Sequence, residues 1–336
     1  MTHTDMISVI VVTYNQEQTI GRTLDSILAQ KCSRPVEIVI GEDCSTDGTR
    51  AVCRSYAERY PGVIRLICNA TNKGLTDNYF DCIGACRGEY IADCAGDDFW
   101  TDPLKLEKEA AILDGDSGMT LVHTAWDRYY EDTGETESSG RQAFSAPVTD
   151  GRTMLEAIVT QTARPVIHLC TAMYRRSVAV EALHATPQLF RGNGIGCEDL
   201  PLCFIMAAKG RIGYLPEVTL NYSCNHDSVS SNKDDRKQFA FVSKVTGQSH
   251  DLAGLYGICT PATRRFFSGK LHALCMHAFR AGDKALMDKT RSYRKDWDVR
   301  MNVKTRIIYI ITGFRPLWRM ALWAHRLFLK TKKKRL

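Results

Sequence analysis

The sequence has no apolar stretch long enough to cross a lipid bilayer. Its longest charge-free apolar run near the C-terminus covers residues 307–314, whereas a transmembrane helix needs about 20 such residues. The apolar run at the N-terminus, residues 7–12, is shorter still and follows Asp5. We therefore predict neither a membrane-spanning helix nor a signal peptide.

The thirteen cysteines include no Cys-x-x-Cys pair, the spacing that is common in zinc sites and redox centres. Cys82 and Cys86 are four residues apart, but two thiols alone make a poor zinc site. An odd number of cysteines scattered through apolar runs is typical of a reducing compartment, where a buried thiol acts as a small hydrophobic side chain. We interpret the cysteines as structural and expect a cytoplasmic protein.

Acidic residues are absent from residues 300–336, which contain eleven of the 44 lysines and arginines. Because the whole chain carries a net charge of +6, the first 299 residues are left with about −5. An enzyme that acts on nucleic acid is expected to carry basic residues over its main domain. We therefore expect no nucleic-acid partner.

The C-terminal tail has the pattern of an amphipathic helix. On a helical wheel, one sector of residues 315–333 holds five basic residues: Arg315, Arg319, Arg326, Lys330 and Lys333. The opposite side is apolar, with Trp318 and Trp323 on its flanks: Leu317, Met320, Ala321, Ala324, Leu327 and Phe328. This pattern favours a helix that lies in the interface of an anionic membrane, and the alternative is a helix that packs on the protein with a solvated basic end.

Strands and helices alternate over the first 115 residues. The predicted strands cover residues 7–13, 37–41, 64–68 and 90–95, and the predicted helices cover residues 19–30, 47–60, 75–86 and 103–113. This alternation predicts a doubly wound α/β fold with a mostly parallel sheet. Beyond it we expect strands at 120–126 and 168–174, an extended pair around Pro216 over 212–222, and helices at 153–160, 200–208 and through residues 236–298.

We look for functional residues at the strand ends, since ligands of open parallel sheets bind beyond the carboxyl ends of the strands. No Gly-x-Gly-x-x-Gly motif follows the first strand, and no phosphate-binding loop of the Gly-x-x-x-x-Gly-Lys type occurs. The second strand is followed by Asp43 and the fourth by Asp97 and Asp98. Adjacent carboxylates suit Mg²⁺ or Mn²⁺ shared with a diphosphate. From the residues alone, it is equally possible that the pair caps the next helix, for which Asp102 is the better candidate.

Three ordered segments resemble glycosyltransferase family 2: SVIVVTYN, EIVIGEDCSTDGT and NKGLTDNYFDCIGACRGEYIADCAGDDFWTDPLKL. The resemblance covers about residues 6–230. It implies the GT-A fold and a nucleotide-diphosphate sugar as donor, with a UDP-sugar favoured. It also implies Mn²⁺ or Mg²⁺ as cofactor and the transfer of a hexosyl or N-acetylhexosaminyl group. It also implies a GT-A domain over residues 1–235, with a nucleotide-sugar half to about 115 and an acceptor half after it. A helical extension (236–298) and a membrane-associating tail (299–336) would follow.

The resemblance assigns nucleotide-binding roles to six residues: Thr13, Tyr14, Asn15, Asp43, Lys73 and Asp97. Asp43 would accept a hydrogen bond from a uracil-type base, and Asp98 would ligate the metal, with Asp97 beside it near the ribose. The family more often has an acid two residues before Asp97, where this sequence has Ala95. We interpret that difference as a subfamily variation, because the direct ligand is retained.

Further site residues are implied later in the chain. Asp199 matches the general base that removes a proton from the acceptor hydroxyl, and Glu198 would orient or tune it, although both could simply favour a helix N-terminus. His226 is a candidate metal ligand, with Asn225 at the position that matches. Trp100 could stack on a sugar or belong to the core. We interpret His168 as a core or acceptor-site residue.

These observations predict an inverting glycosyltransferase at the inner face of a cell membrane. Its acceptor would be a glycan hydroxyl, most reasonably on a lipid-linked intermediate of lipopolysaccharide, capsule or O-antigen assembly in the cell envelope. One alternative is a metal-dependent nucleotidyl or phosphoryl transferase that uses the same acids. Another is a sugar-nucleotide-binding protein without turnover.

Overall fold

The computed structural model describes residues 5–138, 147–163, 167–192, 194–224 and 234–333. The chain divides into two compact units, Met1–Asn225 and His226–Leu336. The first unit contains the predicted strand ends, and the second contains the basic tail.

One mixed β-sheet forms the centre of the first unit. In the described part of the chain its strands are β1 Ile7–Thr13, β2 Val36–Glu42, β3 Ile64–Cys68, β4 Tyr90–Asp93, β5 Phe99–Trp100, β6 Met119–Tyr130, β7 Thr136–Ser138, β8 Val148–Asp150, β9 Ala172–Arg175 and β10 Arg211–Cys224. They lie in the order β3-β2-β1-β4-β9-β6-β10-β5, with β7 on β6 and β8 on β10.

The sheet is parallel where the sequence predicted it and mixed beyond. β1 pairs in parallel with β2 and with β4, and β2 pairs in parallel with β3. β9 is antiparallel to both β4 and β6. Because Thr13 is aligned with Glu42 and Ile10 with Asp93, the carboxyl ends of β1, β2 and β4 lie at one edge of the sheet.

The helices of the first unit are α1 Ile20–Leu28, α2 Thr49–Arg59, α3 Leu75–Ala85, α4 Lys105–Gly115, α5 Leu155–Val159, α6 Arg176–Ala185 and α7 Asp199–Lys209. α1 shows why the sequence pattern was informative: its apolar residues Ile20, Leu24 and Ile27 recur at helical spacing and are buried. The predicted alternation of strand and helix over the first 115 residues is confirmed. α6 was not predicted.

The predicted strand at residues 168–174 is partly wrong. Residues Leu169–Thr171 form a short 3₁₀ turn, and the strand begins only at Ala172. The cause is local, because the backbone N–H and the hydroxyl of Thr171 both donate to the carbonyl oxygen of His168, at 2.9 and 2.7 Å. The turn lies next to the end of β4, where it becomes part of the site.

The second unit is helical. Its helices are α8 Asp235–Leu255, α9 Pro261–Ala281, α10 Lys284–Asp296, α11 Val303–Gly313 and α12 Arg315–Lys333. Side-chain oxygens of Asp234, Thr260, Asp283 and Asn302 accept backbone N–H groups at the starts of the first four, which stabilises each helix. Among the residues that are described, no helix combines the length and the apolar character needed to span a bilayer.

The helix predicted in the tail forms as α12, with one difference from the expected faces. Trp318 does not lie on an exposed flank but is buried, and its indole N–H donates to the carbonyl oxygen of Phe279 on α9 at 3.2 Å. Trp323 is exposed. The side chains of four residues named for this helix lie outside the described set: Arg326, Phe328, Lys330 and Lys333.

Candidate active site

The loop after β1 is held against the loop after β2. Thr13 is buried, its hydroxyl donates to Gln16 at 2.8 Å, and its carbonyl oxygen accepts from the N–H of Asp43 at 3.0 Å. Asn15 has a positive φ of 54°, and its side-chain oxygen accepts from the N–H of Thr46 at 2.8 Å. The sharp turn at Asn15 leaves the ring of Tyr14 45% exposed, so that this aromatic face is accessible at the edge of the sheet.

Asp43 is a buried carboxylate fixed by the turn that contains Lys73. One of its oxygens accepts from the side chain of Asn69 and from the N–H of Lys73, both at 2.9 Å, and the other accepts from the N–H of Gly74 at 2.8 Å. Three donors hold the carboxylate in one orientation while the second oxygen keeps acceptor capacity.

The ammonium group of Lys73 points to a different partner. It donates to Asp81 at 2.8 Å, and Arg191 pairs with the other oxygen of the same carboxylate at 2.8 Å. The Lys73 ammonium, which was expected near the nucleotide, is therefore paired with Asp81 instead. In the structure Lys73 contributes its backbone N–H to the site residue Asp43.

The segment that carries Asp97 and Asp98 packs directly on the loop after β1. A side chain at Gly96 would collide with Gln16 and Thr13, so only glycine permits this approach. The hydroxyl of Thr19 also donates to the carbonyl oxygen of Gly96 at 2.9 Å. The two strand ends that the sequence singled out are thus in contact.

Asp98 is the deepest carboxylate of the site, at 1% exposure. One oxygen accepts from the N–H of Ser223 at 2.9 Å, and the other, Oδ2, is buried without a hydrogen-bond partner. Burial first, and then the charge of Asp97, raise the pKa of Asp98 well above its usual range. An unpartnered buried oxygen beside a second acid suits a divalent cation, so the residues present fit the metal that the sequence implied.

The hypothesis that Asp97 and Asp98 cap a helix is wrong. They are followed by the strand β5, and α4 begins only at Lys105. Asp102 is instead the residue whose carboxylate accepts the N–H of Leu104, at 2.8 Å.

A cation from α1 lies beside the acidic pair, although no motif or spacing predicts it there. The guanidinium of Arg22 donates to the carbonyl oxygen of Asp97 at 3.0 Å and to the hydroxyl of Ser223 at 3.2 Å, and it pairs with Glu131 at 2.5 Å. Its guanidinium carbon also lies 4.2 Å from the centre of the Phe99 ring. Arg22 thereby connects the helix, the acidic segment and the end of β10.

The acids Glu198 and Asp199 lie at the start of α7. Burial raises the pKa of Asp199 to about 6, and burial together with the charge of Asp199 raises the pKa of Glu198 to about 8. The side chain of Glu198 makes no cap hydrogen bond to the helix, and its Oε2 is buried without a partner. Asp93, a buried acid that the sequence did not single out, also has a raised pKa, through burial first and with the charge of Asp199 adding to it.

The expectation that Trp100 stacks on a sugar is corrected. Trp100 is 5% exposed, its indole N–H donates to the carbonyl oxygen of Cys170 at 3.1 Å, and the Lys105 ammonium lies 4.7 Å from its ring centre. Both the ring and its polar atom are occupied in the core. His226 and Asn225 lie outside the described residues.

Comparison with known proteins gives this site a context. The model of glycosyl transferase family 2 matches residues 8–182, more than half of the 336-residue chain. A protein of Mycobacterium tuberculosis is 34% identical over 233 residues, covering 69% of this chain and 63% of that protein. The chain therefore spans less than two thirds of the length of this curated relative.

Two solved structures have a similar fold. A mannosyltransferase of Pyrobaculum calidifontis, in complex with GDP-Man and Mn²⁺, has a TM-score of 0.54 at 18% identity and covers 94% of this chain and 86% of its own. Residues 1–349 of Staphylococcus aureus TarS, in complex with UDP-GlcNAc, have a TM-score of 0.51 at 17% identity and cover 86% of this chain and 92% of their own. The predicted GT-A fold with a C-terminal helical region is confirmed. On the extent of the family match, the chain belongs to glycosyltransferase family 2.

Proposed function

We propose that the protein is an inverting glycosyltransferase that moves a sugar from a nucleotide diphosphate to a hydroxyl of a glycan. The observation that carries the proposal is the buried, unpartnered oxygen of Asp98 at the sheet edge that also holds Asp43. Burial first, then the charge of Asp98, and also the charge of Asp199 raise the pKa of the Cys170 thiol, which supports a common site for these two acids. One site would thus hold a base-binding acid, a metal-binding acid and a general base.

The donor half of the site would bind the nucleotide through β1 and β2. The second oxygen of Asp43 can accept a further hydrogen bond from a uracil-type base, and Tyr14 offers an exposed aromatic face. Asp97 and Asp98 would hold Mn²⁺ or Mg²⁺ on the diphosphate, and the ion when bound neutralises charge on the leaving group. The complexes of the two similar structures with UDP-GlcNAc and with GDP-Man and Mn²⁺ support this class of ligand.

The acceptor half would depend on Asp199. A general base is most effective when its pKa lies near the working pH, and a pKa of about 6 makes Asp199 more basic than an ordinary aspartate while leaving it ionised at neutral pH. Asp199 would take the proton of the acceptor hydroxyl as that oxygen attacks the anomeric carbon. Glu198, with its pKa of about 8, would stay protonated beside it and avoid a second negative charge.

A panel of nucleotide sugars tests the donor class. We expect a UDP-sugar to raise the melting temperature of the full chain in the presence of Mn²⁺, since a ligand that binds only the folded state adds about 2.7 kcal/mol at 100 times its Kd. Nucleotide sugars with other bases should give smaller shifts, and chelation of the metal should remove the shift. A panel without any metal-dependent shift would contradict the proposed donor site.

We also propose that the second unit binds the surface of an anionic membrane, which suits a lipid-linked acceptor of cell-envelope polysaccharide assembly. α11 buries Thr305, Ile308 and Thr312 and exposes an apolar stripe on its opposite face: Val303 70%, Ile307 50%, Ile310 71% and Phe314 64%. Lys304 and Arg306 are exposed on either side of this stripe. α12 adds exposed Met320 and Trp323. An apolar stripe between basic residues is the arrangement of an interfacial helix.

The α11 stripe gives a direct test with vesicles that contain anionic lipid. We expect the double variant Ile307→Ser, Ile310→Ser to bind them at least about tenfold more weakly, because burying one such side chain contributes about 1.5–3 kcal/mol. Leu255→Ser is the control, since Leu255 is 55% exposed and belongs to a different helix, α8. Equal sedimentation of the double variant and the wild-type protein would contradict the membrane assignment.

The alternative functions make different predictions for the same residues. A nucleotidyl or phosphoryl transferase would need Asp98 but would have no use for Asp199. A binding protein without turnover would retain metal-dependent nucleotide binding and release no nucleoside diphosphate with any acceptor. The position of Asp199 next to Asp93 and Glu198, with raised pKa values in all three, favours the glycosyl-transfer proposal.

A further inference from the structure

We propose that His168 and Cys170 are metal ligands that complete the site at Asp98, and that the three residues together select a transition-metal ion such as Zn²⁺, Co²⁺ or Mn²⁺ over Mg²⁺. The inference deepens the proposed function, because Asp98 is the expected metal ligand there. The metal-binding claim itself concerns only these three side chains.

The fold brings the three residues together from distant parts of the chain. Asp98 follows β4, and His168 and Cys170 flank the start of the 3₁₀ turn that precedes β9. β4 and β9 are antiparallel neighbours, so the segment after one strand meets the segment before the other. One ligand atom from each of the three residues lies within 4.8 Å of the other two, which is close enough for one ion to contact all of them after small movements.

Two of the three residues present buried polar atoms that have no hydrogen-bond partner. These atoms are Oδ2 of Asp98 and Nδ1 of His168. A buried polar atom that is left unpaired costs roughly 1–3 kcal/mol, and two of them beside one another need an explanation. A bound cation supplies it, because a metal ion accepts lone pairs from both an oxygen and a nitrogen.

The surroundings hold the ligands in place. The ring of His168 lies between Trp126 and Tyr222, with ring centres 5.5 and 4.8 Å away. The sulfur of Cys170 accepts the N–H of Ala95 at 3.3 Å, which holds the side chain in place. A bound metal would displace the thiol proton, since cysteine binds metals as the thiolate. The fold thus gathers a carboxyl, an imidazole and a thiol into one cluster.

The chemical types of the three ligand atoms determine which metal ions the site prefers. A thiolate and an imidazole bind Zn²⁺, Co²⁺ and related ions much better than Mg²⁺, which prefers oxygen ligands. Catalytic zinc sites also usually have three protein ligands and keep a fourth position open for water or substrate. The open position would be available to a diphosphate oxygen.

Cobalt titration of the metal-free full chain, without any nucleotide, tests the proposal. We expect one equivalent of Co²⁺ to produce an ultraviolet charge-transfer band from cobalt–thiolate bonding. Cys170→Ser should lose that band, and His168→Gln should weaken Co²⁺ binding by about 10–100-fold or more. Cys68→Ser and His250→Gln are the controls, since Cys68 is exposed and His250 lies in the second unit, and both should behave as the wild-type protein does.

The outcomes separate this inference from the proposed function. A wild-type protein that binds Co²⁺ without a thiolate band, or a Cys170→Ser variant that keeps the band, would overturn the role of Cys170. If a variant fails to fold, the absence of the thiolate band from the wild-type protein would still overturn the proposal. Sugar transfer without a thiolate band would overturn only the three-ligand site, whereas a thiolate band in a protein that transfers no sugar would leave the site intact and remove the function.

Discussion

Asp199→Asn is expected to lower the rate of sugar transfer by about 10²–10⁴-fold, the usual contribution of a general base. The amide has nearly the same shape as the carboxylate but cannot take the proton of the acceptor hydroxyl. Binding of the nucleotide sugar should be unchanged, because the donor contacts are assigned to Asp43, Asp97 and Asp98. The measurement is single-turnover transfer of a labelled sugar, with donor affinity determined separately.

The wild-type rate should also depend on pH in a defined direction. Because Asp199 must be deprotonated to act and its pKa is raised to about 6, the rate should rise with pH and level off above about 6. Below that value the rate should fall roughly tenfold per pH unit. Asp251→Asn is the matched control, since Asp251 is 69% exposed on α8. Transfer by Asp199→Asn at the wild-type rate would instead support a phosphoryl-transfer chemistry that does not use this acid.

The second large effect is expected at a buried ion pair in α4. The Lys105 ammonium contacts Glu109 at 2.6 Å, and both side chains are fully buried. Lys105→Met would leave Glu109 buried without a countercharge, which costs about 3–5 kcal/mol. For a unit of this size that corresponds to a melting temperature lower by roughly 6 °C or more. Thermal unfolding at pH 8, where Glu109 with its pKa of about 7 is ionised in the wild-type protein, is the measurement.

Two further variants show whether the pair itself is responsible. The double variant Lys105→Met, Glu109→Met should regain most of the lost stability, because it removes both buried charges. Lys108→Met should lower stability by less than about 1 kcal/mol, since its pairs with Asp102 and Glu217 are partly exposed. A Lys105→Met protein that melts within 2 °C of the wild type, about 1 kcal/mol or less, would contradict the assignment of a buried charge at Glu109.

The fold could be predicted where its cause is local. β1 is a run of β-branched residues and α1 repeats apolar residues at helical spacing, so both were identified nearly to the residue. The turn at Leu169–Thr171 was missed because it depends on two hydrogen bonds from Thr171 to one carbonyl oxygen, which leave no trace in the hydrophobic pattern. The antiparallel pairing in the second half of the sheet was not predicted, because the position of β9 depends on tertiary packing and not on the local sequence pattern.

The site could be predicted only where an acid follows a strand or matches a family motif. Asp43 and Asp98 satisfy that rule, and the parallel pairing of β1 with its neighbours brings their segments to one edge. Arg22 reaches Asp97 from the interior of a helix 75 residues away, and His168 reaches Asp98 through the pairing of β4 with β9. Such contacts are set by three-dimensional packing, and spacing along the chain does not encode them. The role of Trp100 was ambiguous for the same reason. A core tryptophan and a tryptophan that stacks on a sugar differ in their burial, which the sequence does not show.

The most direct test of the metal-assisted donor site is calorimetry of a UDP-sugar with the wild-type protein and with Asp98→Asn, each with and without Mn²⁺. The asparagine keeps an oxygen for the N–H of Ser223, so the variant should fold. We expect tight binding only for the wild-type protein with Mn²⁺, and a Kd at least about 100-fold higher for Asp98→Asn. Equal, metal-independent affinity in the two proteins would contradict the proposal that a cation held by Asp98 anchors the donor diphosphate.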